Sequence, residues 1–128
     1  MRIVFPWFPK ELSPNARVFW AKKARITKTY RTAWFALARE ALAQRTICFP
    51  PRRPIALRVT FFPPDRRLRD LDNCIGSIKS GMDGLAQALE VNDRLFTPTY
   101  QLATQIAGTV VVDLSDTQRG SFLERPDL

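Results

Sequence analysis

A chain of 128 residues, 45% hydrophobic and 25% charged, has the length and composition of one globular domain, with no apolar run near the ~20 residues of a membrane helix and no signal-peptide pattern at its start. It contains no histidine, which excludes Ser-His-Asp and Cys-His nucleophile systems, HExxH metal sites and HNH-type nucleases; its two cysteines, Cys48 and Cys74, form no zinc or redox motif and fit a reduced, cytoplasmic chain. The net charge of +8 is uneven: residues 1–64 carry +11 and residues 65–128 carry −3, with most acids of the second half between Asp65 and Asp93. A basic first half reads as an anion-binding surface, nucleic acid foremost, and a carboxylate cluster inside a basic body is what a metal-dependent phosphodiester enzyme requires.

Arg2–Phe8, closed by Pro6 and Pro9, suits an edge or first strand. Lys10–Ile26 reads as a loop rich in Lys and Arg, with Pro14-Asn15 as its turn. Thr27–Gln44 is expected to be a helix, because Tyr30, Trp34, Leu37, Ala38, Ala41 and Leu42 recur at helical spacing and Lys28, Arg31, Arg39 and Arg45 fall elsewhere. Prolines 50, 51 and 54 end that region. Ile55–Phe62 alternates, with Ile55, Leu57, Val59 and Phe61 on one side, and Pro63-Pro64 stops this half-buried strand. Leu71–Glu90 is predicted as one helix with Asp70 at its N-cap and a core face of Ile75, Ile78, Met82, Leu85 and Leu89. Gly76, Gly81 and Gly84 each weaken that helix by ~1 kcal/mol relative to alanine, so a packing or access reason is expected for at least one. Leu95–Ala107 is extended, Gly108 breaks it, and the β-branched run Thr109–Leu114 is the last strand. The order strand, helix, strand, helix, strand, strand gives a mixed α/β (α+β) domain over residues 1–114, with about four strands in a small mixed sheet, two main helices and a polar tail at 115–128.

The chemistry concentrates in Asp65-Arg66-Arg67-Leu68-Arg69-Asp70-Leu71-Asp72-Asn73. Asp70 and Asp72 are two apart at a helix entry, where both carboxylates can converge on one hard cation such as Mg²⁺. The plainer reading is that Asp70 caps the helix and Asp72 favours its positive end. On a continuous helix Asp72 and Lys79 fall about 20° apart in projection, and Asp83 stands one turn past Lys79. Lys79 then serves either as an electrostatic helper at a phosphate or as half of an exposed Lys79–Asp83 pair. Asp93, in Asn92-Asp93, is the third carboxylate if the strand after it runs antiparallel to the helix. Arg66, Arg67 and Arg69 suit phosphates beside a cleavage point or ion pairs with the aspartates. Arg17, Lys22, Lys23, Arg25, Lys28 and Arg31 are the candidates for sequence-independent backbone contact; Trp20, among them, is open to stacking or to a dimer contact.

Arg66-Arg67-x-Arg69-Asp70-Leu71-Asp72-Asn73, then a helix with Lys79 and Asp83 and a following Asn92-Asp93, resembles the RusA family of Holliday junction resolvases. Phe5-Pro6-Trp7-Phe8-Pro9, Ser13-Pro14-Asn15 with the basic loop, and Phe62-Pro63-Pro64-Asp65 are similar too, so the resemblance covers about residues 2–114. It implies a Mg²⁺ site on Asp70, Asp72 and Asp93, a helping lysine at Lys79, and a homodimer that nicks opposed strands of four-way junction DNA, of phage or prophage type in a bacterial cytoplasm. Two departures stand out: the segment from Asn73 to Lys79 is about one turn longer than in the best-known members, and Asn92 replaces the first acid of the usual pair. The expected function is thus a Mg²⁺-dependent, structure-selective endodeoxyribonuclease with no membrane association. The alternatives are a non-catalytic basic nucleic-acid-binding protein and a nuclease acting on other DNA, whether branched or flapped or ordinary duplex.

Overall fold

The computed structural model describes residues 1–44 and 53–116. Strand β1 (Arg2–Pro6) leads through a 3₁₀ turn (Lys10–Leu12) into helix α1 (Trp20–Ala43). Then follow β2 (Ile55–Phe62), α2 (Leu71–Ser77), α3 (Lys79–Leu89), a second 3₁₀ turn (Asp93–Leu95), β3 (Phe96–Leu102) and β4 (Thr109–Asp116). The sheet order is β1-β4-β2-β3. β4 lies antiparallel to both β1 and β2, while β2 and β3 are parallel, with Ile55 opposite Phe96 and Phe61 opposite Leu102. A parallel pair needs a crossover, and α2–α3 supplies it. The mixed α+β class and the four-stranded mixed sheet agree with the sequence reading.

Period-two alternation sends Ile3 and Phe5 of β1, Ile55, Leu57, Val59 and Phe61 of β2, and Val110, Val112 and Leu114 of β4 into one core. The helices close it with Tyr30, Trp34 and Ala38 from α1 and Ile78, Leu85, Ala88 and Leu89 from the crossover. Trp34 is fully buried and stacks on Phe5, ring centroids 3.8 Å apart and planes within 5°. The Tyr30 hydroxyl donates to the Pro6 carbonyl oxygen at 2.8 Å, pinning α1 to the end of β1. All three crossover glycines sit where a side chain does not fit. A Cβ on Gly81 would meet the Trp34 ring at 2.5 Å, one on Gly76 would meet Pro14 Cγ at 2.6 Å, and one on Gly84 would run into the Arg31 carbonyl oxygen.

Several boundaries differ from the sequence expectation; the extended segment expected over Leu95–Ala107 is a strand only from Phe96 to Leu102. The basic segment read as a loop is helical from Trp20 onward, so Lys22, Lys23, Arg25 and Lys28 lie on α1. Its alanines, lysines and arginine favour helix by propensity alone, without a core face to announce it. The single helix expected over Leu71–Glu90 is two. At Ile78 (φ −101°, ψ 8°) the ladder breaks, and the Ser77 hydroxyl donates back to the Asn73 carbonyl at 2.7 Å, a bond that bends helices. The last strand continues through Ser115, which is buried, to Asp116, two residues into the segment expected as a tail. Residues 117–128, with Arg45, Cys48, Pro50, Pro51 and Arg52, lie outside the described residues. No helix among the described residues is long and apolar enough to cross a membrane.

Candidate functional site

The loop between β2 and α2 is organised by Asp65. Its carboxylate takes the Arg69 guanidinium at 2.8 Å, the Arg67 backbone N–H at 3.0 Å and the Arg67 guanidinium at 3.2 Å. The Arg69 hydrogen bond foremost, then the Arg67 backbone and side chain, hold the Asp65 carboxyl well below the usual carboxylate range. Arg69 also donates to the carbonyl oxygens of Asp65 and Arg67, at 3.2 and 3.0 Å, and its guanidinium lies 5.4 Å from the centre of the Trp7 ring. Arg69 is therefore turned inward as a strut, Arg67 is exposed with one edge on Asp65, and Arg66 faces solvent with no partner among the described residues.

This strut delivers Asp70 to the N-cap of α2. Its Oδ1 accepts the Asp72 N–H at 3.0 Å, so the capping role read from sequence is realised. Its second oxygen and the whole Asp72 carboxylate carry no bond among the described residues, and both residues are exposed. Asn73 Oδ1 accepts the Ser13 hydroxyl at 2.8 Å across a chain separation of 60 residues, and Pro14 packs on Gly76. The Ser13-Pro14-Asn15 turn and the Asp70–Asn73 motif are thus one docked unit. Ser13 shows in the sequence only as part of the Ser13-Pro14-Asn15 turn; its tie to Asn73 pairs a side-chain hydroxyl with an amide and is legible only in three dimensions.

Lys79 opens α3 and is exposed. The break at Ile78 comes between it and Asp72, so the 20° projection expected of one straight helix does not carry over. Lys79 lines a groove of about 410 Å³ with Lys23, Thr27, Ser80 and Asp83, and the buried Ser80 hydroxyl there has no hydrogen-bond partner among the described residues. The lysine is one turn from Asp83 and its charge reaches the Asp83 carboxyl.

Asp93 begins the second 3₁₀ turn, capped by Asn92, whose Oδ1 accepts the Arg94 N–H at 3.0 Å. The chain folds back so that the Asp93 carboxylate faces Asp83. Partial desolvation first, then the nearby Asp93 carboxyl, raise the Asp83 carboxyl above its ordinary value although the residue is exposed, while Lys79 and Arg31 pull it down. The carboxylates therefore stand as two pairs, Asp70 with Asp72 and Asp83 with Asp93. Asp72 and Asp83 stand eleven positions apart in sequence, one on α2 and the other on α3, on either side of the break at Ile78. Among the described residues no group of three or more His, Cys, Asp or Glu side chains is gathered closely enough to hold a metal ion. The pairing of Asp93 with Asp83 was missed in the sequence because Asp83 reads as the partner of Lys79 at helical spacing.

The cationic candidates of the first half lie just before α1 and on its first turns. Arg17, Lys22, Arg25 and Lys28 are exposed and Lys23 is half-buried at the groove; Lys22 approaches Glu11 at 3.8 Å. The donors at the head of α2 are oxygens only, from two exposed carboxylates with unengaged lone pairs, and this chemistry fits a hard divalent cation that keeps several waters.

No protein-family model matches the chain. It is similar to an uncharacterized protein of Xylella fastidiosa (strain Temecula1), 35% identical over 122 residues, an alignment covering 93% of this chain and 79% of that protein. At that identity and coverage, the chain belongs to the same protein family as this Xylella fastidiosa protein.

Proposed function

We propose that the protein is a divalent-metal-dependent endodeoxyribonuclease of the RusA type, which resolves four-way DNA junctions as a cytoplasmic homodimer by paired nicks. The observation that carries this reading is the loop of Asp65 to Asp72. One aspartate is consumed in holding two arginines, and two others are left without an ion-pair partner among the described residues at a helix entry of a strongly basic chain. Leaving carboxylates unpaired next to a DNA-binding surface opposes binding unless a cation joins them.

Asp70 and Asp72 would hold Mg²⁺, which when bound supplies charge neutralisation at a scissile phosphate. Arg66 and the α1 cations Arg17, Lys22, Lys23, Arg25 and Lys28 hold the phosphates of the flanking strands. Lys79 places a compact positive charge in the groove, where it favours the more negative transition state. Asp93 enters as the third carboxylate of the resemblance; its removal tests whether the two carboxylate pairs serve one ion. A homodimer would present two equal sites to a near-two-fold junction, and the exposed edge strand β3 is the surface we assign to that contact.

A second reading, a basic DNA-binding protein without catalysis, is favoured by the local roles of Asp65, Asp70 and Asn92 as ion pair and caps. Incubating four-way junction and linear duplex with the protein, with and without Mg²⁺, separates the two: the proposal requires junction-selective, Mg²⁺-dependent nicking, and binding without nicking supports the second reading.

A further inference from the structure

At the start of α1 two large aromatic side chains stand in water. Phe19 is 70% and Trp20 75% exposed, and neither belongs to the core cluster. Their rings are 5.7 Å apart, tilted by 43°, forming one contiguous apolar surface. Such side chains are normally a protein's largest contributors to burial, and adjacent exposed ones mark a binding surface. Phe19 also occupies the N-cap of α1 and makes no side-chain cap, where Ser, Thr, Asp or Asn would stabilise the helix start. The position therefore carries an aromatic at the expense of local stability.

The surroundings select the occupant. Arg17, Lys22, Lys23 and Arg25 flank the pair in sequence; Glu11 is already approached by Lys22, and Asp83 shares the neighbouring groove with Lys23 and Lys79. A second copy docked here would oppose cations to cations, whereas a nucleic-acid strand supplies both the opposite charge and flat π-faces. Trp20, Lys23 and Thr27 follow one another at spacings of three and four on one helical stripe, and the last two line the groove that contains Lys79. The aromatic pair is thus one turn beyond the groove.

We propose that Phe19 and Trp20 are a stacking platform for unpaired bases of a DNA strand, whose phosphates Arg17, Lys22 and Lys23 hold. The proposal rests on the nucleic-acid reading of the site and adds to it the recognition of unpaired bases at a branch. Stacking tolerates any base, so the platform recognises strand opening and not sequence.

The test is titration of the full-length protein with fluorescently labelled oligo(dT) and with a duplex of equal length, following label anisotropy and tryptophan emission. Trp34 is buried and Trp7 partly so, which makes Trp20 the most solvent-accessible indole. Oligo(dT) is expected to quench the emission. Trp20→Ala should abolish that quenching and weaken oligo(dT) binding by about 5- to 140-fold, the range equivalent to ~1–3 kcal/mol per stacked base, with duplex binding nearly unchanged. Trp20→Phe should restore most of the affinity, since it keeps a π-face, and circular dichroism should show all variants folded. Oligo(dT) binding unchanged in both Phe19→Ala and Trp20→Ala overturns the platform, as does loss of a dimer in those variants with oligo(dT) affinity intact. Preference for oligo(rU) over oligo(dT) overturns the assignment to DNA. Quenching by oligo(dT) without junction cleavage upholds the platform and defeats the nuclease reading; junction cleavage without quenching defeats the platform alone.

Discussion

Replacing Gly81 with alanine should destabilise the protein even though alanine favours helix by ~1 kcal/mol. The added methyl would stand 2.5–2.7 Å from three atoms of the Trp34 indole, against an ordinary contact of 3.4 Å or more. Trp34 has no room to retreat, because it is fully buried with its other face on Phe5 at 3.8 Å. The strain must be relieved by parting α1 from α3. Overpacking of this kind costs typically ~1–3 kcal/mol, and opening the contact loses dispersion as well, so we expect a net loss of about 1–2 kcal/mol. For a domain of this size each kcal/mol moves Tm by roughly 3–6 °C, which thermal unfolding by circular dichroism measures directly. Two controls rank the effect. Gly84→Ala drives into α1 backbone and should cost at least as much, while Gly76→Ala meets Pro14 on a loop that can shift and should cost less. Gly81→Ala with a Tm equal to or above that of the parent refutes the packing argument.

Three further outcomes are expected. Asp83 has its folded-state pKa raised by partial desolvation and by Asp93, so its contribution favours folding most below the ordinary carboxylate range and is lost as pH rises through the raised value; Asp83→Asn should therefore raise Tm near pH 7, with the gain shrinking toward pH 4, and an equal change at both pH values would contradict the raised pKa. The double change Lys22→Ala and Lys23→Ala should flatten the plot of log K against log salt for junction binding by about one to two units, and an unchanged slope would place the DNA surface elsewhere. Lys79→Ala should lower kcat for cleavage by about 10²-fold or more, ~2.7 kcal/mol, with little change in binding, and Lys79→Arg should rescue only in part; normal cleavage by the alanine variant would remove Lys79 from the site.

Much of the fold is legible wherever burial imposes a period. β2 occupies the residues expected of it, because Ile55, Leu57, Val59 and Phe61 alternate and proline closes both ends. The core face of α1 reads correctly at Tyr30, Trp34 and Ala38. Its first two turns do not, because Phe19 and Trp20 face water and hydrophobic periodicity is silent where nothing is buried. The division of the crossover at Ile78 is equally hidden, since it depends on a back-bonded Ser77 and leaves the apolar spacing intact. At the site, Asp70 and Asp72 announce themselves by spacing and by a cap. The use of Asp65 to hold Arg67 and Arg69, the tie from Ser13 to Asn73, and the approach of Asp93 to Asp83 are long-range or loop-specific contacts without a periodic signature. Charge along the chain groups the aspartates from Asp65 to Asp93 into one stretch; in the fold no three of them gather at one point.

The central claim is tested most directly by one gel. Four-way junction and linear duplex are incubated with the parent protein and with Asp72→Asn, each with and without Mg²⁺, and junction binding is followed in parallel. The account predicts symmetric nicks in the junction alone, only with Mg²⁺ and only with the parent. Asp72→Asn should bind the junction as well or slightly better, because removing an exposed carboxylate relieves repulsion from the phosphates. Nicking by Asp72→Asn at the parent's rate, or junction binding by the parent with no Mg²⁺-dependent nicks, would contradict it.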